Sequence, residues 1–538
     1  MESVNQLNNQ PIYPNANPQN MNTLDNSYPN SPYQNQSYYG HPVMTAKKDS
    51  DTIFTKRFKE NFSFFGIGSL LYGIFYAFCL YHNTSGITYP FFVIGTLCYF
   101  FFSVQKLGVP YKKDSIFYVI SLVLLGISNC LTTSPQLLFM NKCGIFLLSF
   151  ILMLHTIYND KEWNLPKYFV AFFETIGTCF VCIFRPFNDM VSYFDAQKQD
   201  KTGKKSYFLP VLIGAAITFP LLTVITALLS SADIVFAKMI DWVLASFNFV
   251  TVFELFFLVL FVFFCSYAVY AALCMKNVQE EVREQRKWEP IIAIIFTAAL
   301  SIVYLLFSVI QIMYLFIGKM QLPEGYTYSG YAREGFFQLL AVCIMNLLLV
   351  LICLHLFREY IVLKVILTVI SGCTYIMILS SALRMVMYIS RYNLTFLRIF
   401  VLWSLAVIFL LMAGVTISIY IKRFPLFTYG LTIVAIFYIG LSFAHPDYWI
   451  ARYNLNFAHL EYLNEYDVID STDYLCSLSS DAAPILLNKE KNPYLQQVSE
   501  SYTTDAFSNY SHNIQRLSEE MHIRNFNFSV YAAEKYIE

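Results

Sequence analysis

The chain has 538 residues, 36 Lys/Arg against 36 Asp/Glu, 57% hydrophobic residues and only 13% charged. Soluble domains carry about 25% charged residues, so this composition excludes a nucleic-acid-binding protein, a disordered regulator and an ordinary cytosolic enzyme. It describes an all-α, polytopic membrane protein.

Residues 1–52 stand apart. Asn5-Gln6-Leu7-Asn8-Asn9-Gln10 leads into Pro11, Pro14, Pro18, Pro29, Pro32 and Pro42 with Tyr between them. Such a segment has too little aliphatic surface to offset its backbone entropy and reads as a disordered arm. The arm is either passive or a docking segment for a protein partner. The first apolar run begins near Phe62, too late and too long for a secretory signal.

From 53 to 446 the chain reads as about eleven spans, each near the ~20 residues that a bilayer core requires. They are Phe62–Tyr81, Ile87–Gln105, Ile116–Leu131, Leu137–Tyr158, Phe208–Leu229, Val250–Met275, Ile291–Ile317, Phe336–Phe357, Ile361–Ile389, Phe396–Ile421 and Leu426–Ala444. Tyr168–Phe187 holds Glu174 and Arg185, and Ala232–Phe247 holds Asp233, Lys238 and Asp241. Both read as interfacial or re-entrant helices. Lys47, Lys48, Lys56, Arg57 and Lys59 precede the first span, and Lys106, Lys112 and Lys113 follow the second. The turns His82–Gly86 and Thr132–Gln136 contain no Lys or Arg. This bias places the N-terminus in the cytoplasm, and eleven crossings put the C-terminal region outside. Arg384, Arg391 and Arg398 sit around a loop on that outer side and run against the trend.

Residues 447–538 turn polar and acidic and read as a small helical domain. Ser480-Asp481-Ala482-Ala483-Pro484 offers an N-cap with an acidic first turn. Residues 505–520 and 526–537 read as short helices. Residues 1–446 carry 30 Lys/Arg and 22 Asp/Glu, whereas 447–538 carry 6 and 14. The overall zero is therefore a cancellation between a basic body and an acidic tail.

Motifs for chemistry are sparse. Eleven of the twelve cysteines lie in or beside apolar segments, with Cys476 in the tail. Cys179-Phe180-Val181-Cys182 lacks the second ligand pair that a metal or redox site needs. P-loop, dinucleotide and nucleophile-elbow patterns are missing, so no cofactor and no catalytic residue is expected. Asp467, Asp470 and Asp473 read as solvated surface and helix capping rather than a calcium loop. Ionisable groups inside spans are costly, which singles out Glu254, read either as an interhelical pairing residue or as a proton or cation site. Lys142, Arg384 and Arg398 read as interhelical pairing or snorkelling. Two clusters sit at membrane edges. Gly330–Phe337 contains Arg333 and Glu334 at a helix start, where the dipole favours an acid. Asp447–Asn454 contains Asp447, Arg452 and Asn454, with Asp447 expected to cap the helix carrying Arg452. The second cluster reads as a surface anchor for the tail, with a binding site as the alternative.

These clusters and the tail resemble a bacterial family of multi-pass membrane proteins known only as a domain of unknown function. The resemblance rests on Tyr331-Ala332-Arg333-Glu334-Gly335-Phe336, Ile450-Ala451-Arg452-Tyr453-Asn454, Tyr474 to Pro484, and Phe526 to Ala533. It covers roughly residues 60–538 and carries no activity. It implies a bacterial plasma membrane location.

Three functional readings follow. The first is a non-enzymatic envelope sensor, scaffold or regulator. The alternatives are a secondary transporter or channel with Glu254 in its pathway, and a membrane-embedded transferase on lipid-linked substrates. The expected partners are the lipid bilayer and a protein partner for the arm or the tail. No nucleic acid is expected, and the sequence names no ion or small-molecule substrate.

Overall fold

A computed structural model describes residues 52–537, apart from 162, 200–207, 247–248, 276–287, 314–327, 422–423, 458–464, 489 and 496–500. The Asn/Pro-rich arm lies outside the described residues. The helices in chain order are α1 Ile53–Glu60, α2 Phe62–Leu80, α3 Thr88–Leu107, α4 Ser115–Leu131, α5 Pro135–Ile157, α6 Leu165–Cys182, α7 Arg185–Gln199, α8 Phe208–Ala232, α9 Ile234–Ser246 and α10 Phe249–Cys274. There follow α11 Pro290–Gln311, α12 Tyr328–Leu356, α13 Ile361–Tyr392, α14 Phe396–Tyr420 and α15 Leu426–Phe443. The tail forms α16 Pro446–Phe457, α17 Glu465–Cys476, a 3-10 turn Ser480–Ala482, α18 Ala483–Leu486, α19 Ser501–Glu519 and α20 Phe528–Glu534. The protein is all-α, as the composition requires.

Local contacts fix which helix ends lie together. At one end, Thr52 and Thr55 donate to the Cys274 carbonyl and Arg57 to that of Leu107. Lys112 Nζ reaches the Tyr158 carbonyl at 2.6 Å, and Trp288 pairs with Leu356 and Arg358 through the backbone. This is the α1 end. At the other end, Tyr81 meets Glu254, Gln311 meets Arg384, and the tail helices sit on the α2–α3 and α4–α5 turns. This is the tail end. Each of α2 to α5 and α10 to α15 therefore runs from one end to the other.

Between α5 and α10 the chain must cross once more. Length and composition single out ten helices able to cross, α6 among them, with α4 a shorter apolar helix of 17 residues. Yet both ends of α6 lie at the α1 end. Tyr168 stacks on Phe427 at 3.9 Å, and Cys182 Sγ lies 3.4 Å from Met275 Sδ. In α7, Tyr193 then packs on Phe62. Helix α8, 25 residues without a charged side chain and about 38 Å long at 1.5 Å per residue, is long enough to make that crossing. Among the described residues, ten helices, α2 to α5 and α10 to α15, are thus placed end to end by their contacts, and both ends of α6 stay on one side. Helix α9 packs on α8, its first N–H groups capped by Asp233 Oδ1.

The helices form two groups. In the first, α2 packs against α3 and α10, and α4 against α3 and α5. Helix α2 buries small residues at Ser69, Gly73 and Ala77, and Gly73 faces α10, which lets the two backbones approach. A Cβ on Gly73 would lie 2.8 Å from the Val259 carbonyl oxygen. In the second group, α11, α12 and α14 pack around α13. Helix α15 lies between α14 and α4 and joins the two. Trp403 Nε1 donates to the Phe437 carbonyl at 2.9 Å across that joint.

Candidate functional site at the junction of the bundle and the tail helices

The richest buried polar chemistry lies where the tail meets the tail end of the bundle. The chain leaves α4 through Thr132, Thr133 and Ser134. It leaves α15 through His445, whose φ of +48° turns the backbone sharply into α16. The 3-10 turn brings in Ser480 and Asp481, and α20 opens on Asn527 and Ser529. Asp481 gathers them. Its Oδ2 accepts from Thr132 Oγ1 at 2.6 Å and pairs with His445 Nδ1 at 3.1 Å, and its Oδ1 accepts from Ser529 Oγ. Ser480 Oγ bonds Thr133 Oγ1 at 2.5 Å and Ser529 Oγ at 2.8 Å. Asn527 Nδ2 donates to the Thr132 carbonyl at 2.9 Å. Asp447 Oδ2 accepts the Ser479 N–H at 3.3 Å, and Tyr510 donates to the Ser479 carbonyl at 2.7 Å. Asp447, Asp481, Thr132 and Ser134 are all buried.

Burial pushes the Asp447 carboxyl above the usual carboxylate range, and the nearby Asp481 charge adds to this. Hydrogen bonds from Ser479 and Ser134 act the other way without prevailing. The hydrogen bond to Asp481 raises the His445 pKa above its ordinary 6.5 against the effect of burial. The pairing with Asp481 thus favours the protonated form of His445 more than water does.

Just inside the bundle the polar network continues. Asn141 Oδ1 accepts from Tyr438 OH at 2.6 Å and Ser442 Oγ at 2.8 Å, and Asn141 Nδ2 donates to Ser128 Oγ at 3.2 Å. Ser128 and Ser442 hydroxyls meet at 2.6 Å. These contacts tie α4, α5 and α15 where water is scarce and a lost partner is costly.

Two further sets of bonds attach the tail. Toward the first helix group, Ile87 N donates to the Phe526 carbonyl at 2.8 Å, and Asn83 and Thr88 reach the Arg524 carbonyl. Arg524 in turn donates to the Tyr81 carbonyl at 2.5 Å. Gly86 permits this approach, because a Cβ there would lie 2.8 Å from Asn525 Cα. Toward the second group, Asn454 pairs with both backbone groups of Leu394, at 2.6 Å to its N–H and 2.9 Å to its carbonyl. Phe396 N donates to Tyr474 OH at 3.2 Å. The tail bridges both helix groups and belongs to the same compact unit, Asp51–Glu538.

The residues singled out in the sequence scatter around this junction. Asp447 and Asn454 are in it, 3% exposed each. Asp447 does not cap α16, because it lies inside the helix and turns toward Ser479. Arg452 points outward, its guanidinium 5.5 Å over the Trp449 ring. Glu254 is exposed in the first turns of α10, accepting from Tyr81 OH at 2.6 Å with His82 Nε2 at 3.6 Å. It stands at the tail end rather than in the bundle centre. Arg333 and Glu334 fall in the first turns of α12, and their side chains lie outside the described ones. Asp473 is exposed on α17, and the side chains of Asp467 and Asp470 lie outside the described ones. The expected N-cap at Ser480 is corrected: its hydroxyl is spent on Thr133 and Ser529, and the cap position belongs to Ser479. Arg398 donates to the carbonyls of Tyr392 and Asn393 and lies over Tyr388. It thereby satisfies the C-terminus of α13, which accounts for a cation on that side. Sequence reasoning passed over Thr132, His445, Asn527 and Ser529, and it read Asp481 only as a helix-start acid.

A second polar knot marks the α1 end. Asp160 accepts from His155 Nδ1 and Tyr168 OH, both at 2.5 Å, and pairs with Lys112 Nζ at 3.3 Å. Burial works against its charge. The hydrogen bonds from His155 and Tyr168, then the charges of His155 and Lys112, outweigh it and hold the carboxyl below the usual range.

Among the described residues, no group of three or more His, Cys, Asp or Glu is placed to hold a metal ion. The junction offers hydroxyls, carboxyls and one imidazole for fastening and proton-linked chemistry. No curated protein matches the chain, and no solved structure matches it. The family model described as Domain of unknown function (DUF4153) matches residues 119–488. That match runs from α4 into the segment after α18. It takes in Thr132, His445, Asp447 and Asp481, and leaves Asn527 and Ser529 beyond its end. The match covers more than two thirds of the 538 residues, and the chain belongs to the DUF4153 family.

Proposed function

We propose that the chain is a non-enzymatic envelope sensor, scaffold or regulator of a bacterial plasma membrane, with its tail helices forming a cap outside the cytoplasm. The observation that carries this reading is the double attachment of the tail. Asn454 and Tyr474 hold the second helix group, while Asp481, Asn527, Arg524 and Phe526 hold the first. A cap that spans two helix groups can fix their relation or report a change in it. The lipid bilayer is the environment, and a protein partner at the cap or the N-terminal arm is the route by which such a state is passed on.

Two features support the sidedness. Lys56, Arg57, Lys59, Lys106, Lys112 and Lys113 gather at the α1 end, as the positive-inside rule expects of a cytoplasmic face. The tail-end turns His82–Gly86 and Thr132–Gln136 carry no Lys or Arg. The exposed position of Glu254 at the tail end also favours this reading over a transport path through that residue.

The test pairs two variants. Asp481→Asn with Asn454→Ala should abolish the cellular role while the protein still reaches the membrane, and Glu254→Gln should leave that role intact. A proton- or cation-coupled flux in proteoliposomes that Glu254→Gln abolishes would overturn the reading in favour of transport.

A further inference from the structure

The cap exposes apolar side chains that a water-facing domain has no reason to show. Ile523 is 92% exposed, Trp449 51%, Tyr531 46% and Phe528 44%. Their backbones are firmly placed. Ile523 precedes Arg524, which bonds the Tyr81 carbonyl at the end of α2. Phe528 follows Asn527, which bonds the Thr132 carbonyl just past α4. Trp449 lies in the helix that starts three residues after α15 ends. Tyr531 packs on Phe526 with ring centroids 5.8 Å apart, and the Phe526 carbonyl takes the Ile87 N–H at the start of α3, so all four sit at the level where the spans end.

Cations accompany the rings. Arg452 lies over Trp449 at 5.5 Å, and Lys535 lies over Tyr531 at 5.1 Å. The tail holds only 6 Lys/Arg against 14 Asp/Glu, yet Arg452, Arg524 and Lys535 belong to the segments touching the span ends. Trp and Tyr with flanking Arg or Lys are the residues that favour the headgroup layer, apolar on one side and phosphate-binding on the other.

We propose that Trp449 with Arg452, Tyr531 with Lys535, and the side chains of Ile523 and Phe528 seat the cap in the headgroup layer of the bilayer leaflet at the tail end. The apolar parts enter the acyl boundary, and the cations meet lipid phosphate. This seating is independent of which compartment the tail end faces. It also differs from the junction in its chemistry, because none of these six side chains bonds Asp481 or Asp447.

The test uses the full chain in single-copy nanodiscs of phosphatidylethanolamine and phosphatidylglycerol. One variant retains Trp449 alone, with Trp163, Trp242, Trp288 and Trp403 replaced by Phe. In that background Ile523→Trp and, as an aqueous control on α19, Ser508→Trp are read with Trp449→Phe. Lipids brominated high on the acyl chain should quench Trp449 and Ile523→Trp severalfold more than the control, and iodide should do the reverse. If that background does not fold, a spin label at Ile523→Cys, with Cys98 and Cys143 replaced by Ser, should be reached by oxygen in preference to a nickel chelate. Iodide or nickel-chelate access equal to that at residue 508 would overturn the proposal and leave these side chains for a protein partner or a second copy.

Discussion

At the residue scale, the junction turns on one carboxylate with three donors from three separate elements. Asp481→Asn keeps the shape but presents an amide N–H₂ toward hydroxyl and imidazole donors. It should cost about 1–3 kcal/mol, the range for a buried group that loses its partner. The expected outcome is faster proteolysis of the tail and a lower thermal midpoint for its release, with the bundle unaffected. The junction should also respond to pH. His445 has a folded pKa raised above 6.5, so its contribution is complete below that value and is lost as pH rises through the folded pKa. Asp447 is raised too, so its contribution is present below 3.8 and falls as pH rises. Both trends have the same sign. The groups facing them are Thr132 and Ser134 from the α4–α5 turn, Ser479 and Asp481 from the 3-10 turn, and Ser529 from α20. Limited proteolysis of the cap should therefore be slower at about pH 6 than at about pH 9, and His445→Gln should flatten the difference. Asp160 at the other end behaves oppositely: its lowered pKa gives stability above 3.8 that is lost as pH falls through the folded value. Asp447 and Asn454 could be picked out in the sequence because they stand beside a span end in an aromatic, polar cluster. Asp481 could not be given its role, because its partner Thr132 is 349 residues away and local pattern shows only the helix start.

At the element scale, spans were legible from their length and apolar runs, and Tyr168–Phe187 was read as interfacial or re-entrant from its charges alone. Helix α6 is apolar enough to cross, and only the placing of Tyr168 on Phe427 and Cys182 beside Met275 shows both ends on one side. Its charged residues, Glu174 and the following Arg185, were the sequence signal for an element that does not simply cross. Close packing sets two further expectations. Gly73→Leu should force α2 from α10, because even a Cβ meets the Val259 carbonyl; overpacking of this kind costs about 1–3 kcal/mol, read as a lower thermal midpoint of the whole bundle. Gly86 has φ +153° and faces the Asn525 backbone. Gly86→Ala should loosen the 522–526 segment alone, seen as new cleavage after Arg524 with the bundle's own midpoint unchanged.

At the scale of the whole molecule, two helix groups share α15 and the cap. The charge balance expresses the same organisation. The 36 positive and 36 negative residues separate into a basic body and an acidic tail, and contacts put α1 and the tail at opposite ends. Sequence alone could find apolar helices long enough to cross, because hydropathy is local. It could not find the division into two groups, because α13 and α2 each look like any apolar helix until their neighbours are known. The cap reading is tested most directly by cysteine reactivity in a background with Cys98 and Cys143 replaced by Ser. Ser508→Cys on α19, Lys113→Cys at the α1 end and Ala482→Cys, buried in the junction, are exposed to an impermeant maleimide. In intact cells only residue 508 should react; residue 113 should need permeabilised cells, and residue 482 should react only once Asp481→Asn releases the cap. Labelling of residue 508 only after lysis, or of residue 482 as fast as residue 508 in the otherwise native chain, would contradict a seated cap outside the cytoplasm.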